Sequence, residues 1–247
     1  MGLEGIIFLA ILIFIAAILY SSVGHGGASG YIAAMSLFGL APEEMKPAAL
    51  TLNILVASIA IVKYVKAGRF SWKIFWPFAL TSIPFAFLGG LILLPALYYK
   101  PIIGVVLVFA AYHLLKDAPK PDYIATPPVI SITLISGAGL GFVSGLVGVG
   151  GGIFLSPLLI MLKWENVKKV SGVASAFILV NSVAGLLGFL STNTSQIPDG
   201  LAVWTIAAVM GGYIGAEYGS KRFENPTIKM LLSLVLLVAG IKMIATA

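Results

Sequence analysis

The chain has 247 residues, 60% of them hydrophobic and 10% charged, with a mean hydropathy of +1.06 and a formal net charge of +6. Soluble domains carry about 25% charged residues, so a water-soluble domain is excluded, and the basic balance reads as membrane topology rather than nucleic-acid binding. The absence of cysteine excludes disulfides, thiolate metal sites and cysteine nucleophiles.

Apolar runs follow one another along the chain. Residues 6–23, 47–65, 74–94, 99–115, 129–147, 170–190, 201–219 and 227–244 come close to or exceed what a helix needs to cross a ~30 Å hydrocarbon core. They are continuous rather than alternating, which selects helices over barrel strands. Two shorter runs, 28–41 and 152–162, each follow a glycine cluster. The first rises about 20 Å as a helix, too short to span comfortably, so the glycine turn before it is expected inside the membrane. The opening run has no basic flank and no small-residue cleavage site, and is expected as a membrane helix rather than a removable signal. The fold predicted is an all-α integral membrane protein with about five helical segments per half, one of them a broken or re-entrant short helix.

Lysine and arginine concentrate on the cytoplasmic side of membrane proteins. If every one of the ten runs reverses the chain, one side holds Lys63, Lys66, Arg69, Lys73, Lys116, Lys120, Lys163, Lys168, Lys169, Lys221, Arg222 and Lys229. The other side holds Lys46, Lys100 and Lys242, a split of 12 to 3. If the short runs merely extend their neighbours, the split becomes 8 to 7 and the bias is lost. The first arrangement is preferred, with both termini outside a cell membrane and the 63–73, 116–128, 163–169 and 219–229 loops in the cytoplasm.

A shift of 124 residues lays 21–65 on 145–189 without a gap. Val23, Gly24, Gly26 and Gly27 fall on Val147, Gly148, Gly150 and Gly151; Ile54, Leu55, Val56, Ser58 and Ala60 fall on Ile178, Leu179, Val180, Ser182 and Ala184. With a loop two residues longer, Gly89 also meets Gly215. An odd number of crossings per half makes the second half enter from the opposite side, so the repeats are expected to be inverted. Residues 1–115 form the first repeat, the Pro- and charge-rich 116–128 a cytoplasmic linker, and 129–247 the second repeat. Inverted repeats place a substrate near the midplane, between broken helices of the two halves.

The clusters themselves, Gly24-His25-Gly26-Gly27-Ala28-Ser29-Gly30 and Gly148-Val149-Gly150-Gly151-Gly152, are costly in a helix, at about 1 kcal/mol per glycine relative to alanine. Amides freed at mid-depth need partners. A bound anion is one such partner, because the helices starting near Ala28 and Gly152 would aim their positive N-terminal ends at one region. No lysine or arginine is expected there. Close helix packing is the alternative use of glycine in a membrane.

This pattern resembles the sulfite exporter TauE/SafE family. The resemblance rests on the repeated G-x-G-G at 24–27 and 148–151, Pro157, the Asn181-Ser182 pair, and Gly211-Gly212 with Gly215. It covers essentially the whole chain and implies transport of sulfur-containing anions such as sulfite, thiosulfate or organosulfonates. The first cluster departs from the family in carrying His25 and continuing as Ala28-Ser29, where a third glycine is common.

The expected substrate-binding set is Gly24, His25, Gly26, Gly27, Ser29, Thr51, Asn53, Gly148, Gly150, Gly151, Gly152, Ser175 and Asn181. Ser22 and Ser182 are further hydroxyls in reach. Neutral hydroxyls and amides bond an oxyanion without the desolvation cost of a full charge. His25, at mid-depth with an ordinary pKa near 6.5, is the proton-coupling candidate, whereas His113 is expected at an interface. Glu217 stands four residues before Lys221, as in a surface ion pair. Trp72, Trp76, Tyr98, Tyr99 and Trp204 fall near run ends, as belt aromatics do.

An intramembrane hydrolase would need a nucleophile with an oriented base, and no acid stands near Ser22 and His25 to orient one, so no enzyme is expected. Nor is a cofactor or metal site, since no mid-membrane cluster of carboxylates or histidines occurs. The reading is an alternating-access carrier whose partners are a small anion and the bilayer, not nucleic acid. An anion channel, or a carrier of a different solute or cation, fits the same residues, and the sequence leaves the oligomeric state open.

Overall fold

The computed structural model describes residues 2–116, 126–165, 167–192, 198–221 and 226–245. Ten helices follow in chain order: α1 (Leu3–Ser21), α2 (Ala28–Leu37), α3 (Pro42–Lys66), α4 (Trp72–Leu91), α5 (Ala96–Lys116), α6 (Ile130–Val147), α7 (Gly152–Met161), α8 (Val167–Thr192), α9 (Leu201–Lys221) and α10 (Pro226–Ala245). Each apolar run of the sequence is one helix, and among the described residues there is no strand. Five helical stretches, in α1, α3, α4, α6 and α8, are long and apolar enough to cross a membrane. Helices α2 and α7 have 10 residues each, a rise of about 15 Å, half the hydrocarbon thickness.

Local chemistry sets several boundaries. Gly148 ends α6 in the left-handed region, at φ +82°. Pro42 opens α3, and the Glu44 carboxylate accepts the Ala41 N–H at 3.2 Å, satisfying one of the amides a helix start leaves unpaired.

Helix α9 packs on α1 and α3, α4 packs on α6 and α8, α3 meets α8, and α5 meets α10. Glycine sets the spacing. Gly211, Gly215 and Gly219 lie directly on the backbone carbonyls of Phe14, Ile18 and Ser22, so both helices advance together and α1 and α9 run parallel. In the same way Gly137, Gly141 and Gly145 lie on the backbone of Phe78, Ser82 and Ala86, making α4 and α6 parallel. A methyl group at any of these positions would enter neighbouring backbone, so glycine every fourth residue is what permits the approach. Helix α8 runs with α4: Phe78 meets Phe177 edge-on, and one level on Ala86 faces Gly185. Contacts between α3 and α8 run the other way, with Asn53 beside Ser182 and Leu50 beside Gly185. Two triads of parallel helices, α1–α3–α9 and α4–α6–α8, thus face each other with opposite directions.

Six residues expected at the surface can be compared with the structure. Trp72, Trp76 and Tyr98 are exposed as expected, at 65%, 41% and 59%. Trp204 and Tyr99 are not belt residues: both are 1% exposed, because the Trp204 indole donates to the Ile6 carbonyl at 3.2 Å and the Tyr99 hydroxyl to that of Val147 at 3.0 Å. Glu217 pairs with Lys221 and also with Lys63 of α3, whose ammonium lies 4.1 Å from the centroid of the Tyr213 ring. The linker expected over 116–128 falls mostly at 117–125, outside the described residues, as do the side chains of His113, Lys116, Lys120, Lys168, Arg222 and Lys229.

Candidate functional site

The first glycine turn begins where α1 ends. The amides of Val23 and His25 both donate to the Tyr20 carbonyl, at 3.1 and 2.9 Å, and Gly24 donates to Ser21 at 3.1 Å. Gly24 and Gly27 take φ of +80° and +105°, and Gly148 and Gly151, which the 124-residue shift lays on them, take +82° and +77°. Four matched positions therefore adopt a backbone that L side chains resist. Gly27 and Gly151 are the N-caps of α2 and α7, and neither brings a side chain to the first-turn amides.

The two turns meet. A Cβ on Gly26 would strike Asn53 Oδ1 and one on Gly150 would strike Asn53 Nδ2, and both would come within 3.0 Å of the Ile178 side chain. Asn53, fully buried on α3, uses both ends of its amide. Its Oδ1 accepts the Ala28 N–H at 3.2 Å, while Nδ2 donates to the Val149 carbonyl at 3.3 Å and to Ser182 Oγ at 2.9 Å. One neutral side chain thus joins the start of α2, the second turn and α8.

Other polar groups close around this point. Ser175 Oγ on α8 lies 2.8 Å from the Gly24 carbonyl and 2.8 Å from that of Ser171. The Tyr31 hydroxyl donates to the Gly26 carbonyl at 2.8 Å, and Ser29 donates to the Tyr20 hydroxyl at 2.8 Å. His25 reaches from the first turn to α7, with Nε2 3.2 Å from both the Gly152 carbonyl and Ser156 Oγ. Bonding to that carbonyl requires a proton on Nε2, and the serine hydroxyl then accepts.

Of the expected residues, the structure gathers Gly24, His25, Gly26, Gly27, Asn53, Gly148, Gly150, Gly151, Gly152 and Ser175 at the two turns, with Ser29 beside them. Ser22 donates within its own region, to the Leu19 carbonyl at 2.7 Å. Thr51 bonds back to the Pro47 carbonyl at 2.9 Å within α3. Asn181 donates to Phe177 at 2.8 Å, and its Oδ1, with Ser82 Oγ and Ser144 Oγ, is buried with no hydrogen-bond partner among the described residues. Tyr20, Tyr31, Ser144, Ser156 and Ile178 were not legible as site residues. Their sequence signal was that of ordinary apolar or small helix residues.

One electrostatic expectation is corrected. A lysine does lie beside the turns: Lys46, 1% exposed, packs its stem against Gly148. A helix-start residue assigned to a loop by hydropathy is instead folded inward, because its ammonium caps carbonyls at the end of α4.

Five apolar helices long enough to cross a bilayer, enclosing a small polar junction, describe a multi-pass membrane protein. Comparison with known proteins supplies the family. The model of the family described as Sulfite exporter TauE/SafE matches residues 9–243, and the chain belongs to that family of transporters, not to a family of enzymes. It is 38% identical over 241 residues to the "Probable membrane transporter protein y4hK" of Sinorhizobium fredii, covering 96% of this chain and 97% of the relative. It is 27% identical to "Probable membrane transporter protein MJ0441" of Methanocaldococcus jannaschii, covering 94% and 92% of the two chains. It is 24% identical to "Probable membrane transporter protein YjnA" of Bacillus subtilis, covering 90% and 92%. No solved structure matches the chain.

Proposed function

We propose that this transporter carries a small sulfur-containing anion, such as sulfite, thiosulfate or an organosulfonate, binds it near the midplane between the two glycine turns, and works by alternating access. The meeting of both turns on Asn53 carries this reading. Two short helices, one from each half, begin at the same buried polar point, and the first-turn amides of a helix favour negative charge. Neutral polar side chains of Ser182, Ser175 and His25 stand around it and carry no fixed charge, as a site that must also release its anion requires. The family supports the substrate class through its description as a sulfite exporter.

The opposite directions of the two helix triads support an inverted pair of repeats, residues 1–115 and 129–247 joined by 116–128. In that arrangement rocking of one triad against the other exposes the junction alternately to each side. The 12 to 3 division of basic residues in the sequence supports a topology with both termini outside, and the burial of Lys46 within α3 removes one of the three from the outer side.

The test is thermal unfolding of purified protein with sulfite, thiosulfate, sulfate, a sulfonate, chloride and divalent cations, for wild type and Asn53→Asp. The variant keeps the shape of Asn53 and adds a negative charge. Stabilisation by a sulfur oxyanion that disappears in Asn53→Asp is the expected result. Stabilisation by a cation alone refutes the anion reading.

A further inference from the structure

We propose that Lys46 supplies the counter-charge for the transported anion, an inference that rests on the anion reading above. Lys46 lies in the first turns of α3 and is 1% exposed. A Cβ on Gly148 would meet the Lys46 Cγ at 3.0 Å, so the lysine stem lies directly on the second glycine turn. From there the ammonium donates to the carbonyls of Ile92 at 2.9 Å, Gly90 at 3.3 Å and Gly89 at 3.4 Å, and sits 5.5 Å from the centroid of the Phe189 ring.

Carbonyl dipoles and a ring face solvate an ammonium but leave its net charge in place. Among the described residues no carboxylate pairs with Lys46, in contrast to Lys63, which is held by Glu217. A buried charge without a carboxylate in contact acts over a longer range than an exposed one, and an enclosed ionisable group in a membrane protein calls for a functional reason.

Capping alone does not supply that reason. The repeat places Val170, 3% exposed, where the first half has Lys46, so a half folds with an apolar residue there. The end of α9, the counterpart of α4, is capped by Arg69, which donates to the Gly219 carbonyl at 3.0 Å from a partly exposed position. Lys46 differs in being enclosed and beside a turn. Among the described residues the junction otherwise consists of neutral groups, so this ammonium gives the site its sign. It does so through space, and direct contact with the anion is not required.

The experiment measures binding of thiosulfate, a dianion, and methanesulfonate, a monoanion, to purified wild type and to Lys46→Arg, Lys46→Gln and Lys46→Met, at constant ionic strength, with unfolding midpoints recorded alongside. Arginine keeps charge and cap, glutamine keeps a donor for the α4 carbonyls without charge, and methionine keeps neither. Lys46→Arg is expected to bind within about threefold of wild type. Lys46→Gln and Lys46→Met are expected to lose about tenfold for the monoanion and about a hundredfold for the dianion, because the Coulomb free energy doubles with the charge. Wild-type affinity in Lys46→Gln, or an equal loss for both anions, overturns the counter-charge and leaves the anion reading standing. Failure of the wild type to bind either anion overturns both.

Discussion

Alanine at Gly150 puts two separate demands on the second turn. The backbone there has φ +80°, and holding an L residue in the left-handed region costs about 1–2 kcal/mol. The new methyl group would also sit on Asn53 Nδ2, with Ser182 Oγ at 2.8 Å and Ile178 Cγ2 at 2.9 Å. Asn53 must move, breaking its bonds to Val149 and Ser182, each with a net worth of about 1 kcal/mol and more if the freed groups stay buried and unpaired. The total is on the order of 3–4 kcal/mol.

Two other glycines separate the contributions. Gly39 has φ +75° with nothing within 4 Å of an added Cβ, so Gly39→Ala isolates the backbone cost of about 1–2 kcal/mol. Gly139 is helical and exposed, again with nothing within 4 Å, and alanine there should stabilise by roughly 0.5–1 kcal/mol. Thermal unfolding of the four proteins in one detergent should therefore rank Gly139→Ala at or above wild type, then Gly39→Ala, then Gly150→Ala. If Gly150→Ala melts with Gly39→Ala, Asn53 yields without cost and the tight meeting of the turns is refuted.

Further outcomes are expected from the same geometry. Asn181→Leu removes an amide oxygen that is buried with no hydrogen-bond partner among the described residues, so the unfolding midpoint should not fall; a fall would show that the oxygen is satisfied after all. His25→Gln retains an N–H able to reach the Gly152 carbonyl and His25→Ala does not; uptake into proteoliposomes should survive the first better than the second, and equal loss would exclude that bond as the reason for the histidine. Gly145→Leu drives a side chain into the Ala86 carbonyl, and should give little monodisperse protein on size exclusion, against near-normal yield for Gly139→Leu. Glu217→Gln breaks ion pairs at a partly exposed site, and its midpoint should match wild type because exposed pairs contribute little.

Much of the architecture could be read directly. Ten runs became ten helices because a bilayer requires every backbone group to be paired within its own segment, so hydropathy alone locates them. The unusual glycines also announced themselves: a residue costly in a helix, repeated at a spacing of 124, marks backbone that must turn. Gly24, Gly27, Gly148 and Gly151 all take positive φ. Where the sequence misled, it was about side chains. Trp204 and Tyr99 stand near run ends but face inward, and Thr51, hydroxyl-bearing and repeat-matched to Ser175, turns back on its own helix. Hydropathy counts residues along a segment and does not register which way each one faces.

The sequence by itself therefore determined the solvent, the number of segments and the two turns, because those follow from the cost of unpaired backbone in hydrocarbon and from glycine's lack of a Cβ. Only the tertiary structure decided that both turns close on Asn53, that Ser182 and Ile178 complete the contact, and that Lys46 folds inward beside Gly148. Those placements depend on the crossing of α3 and α8 and on helices drawn together by Gly137, Gly141, Gly145, Gly211, Gly215 and Gly219. Contacts between residues more than ninety positions apart, such as Asn53 with Val149 and Ser182, arise from how helices pack, and no local pattern in the chain encodes them.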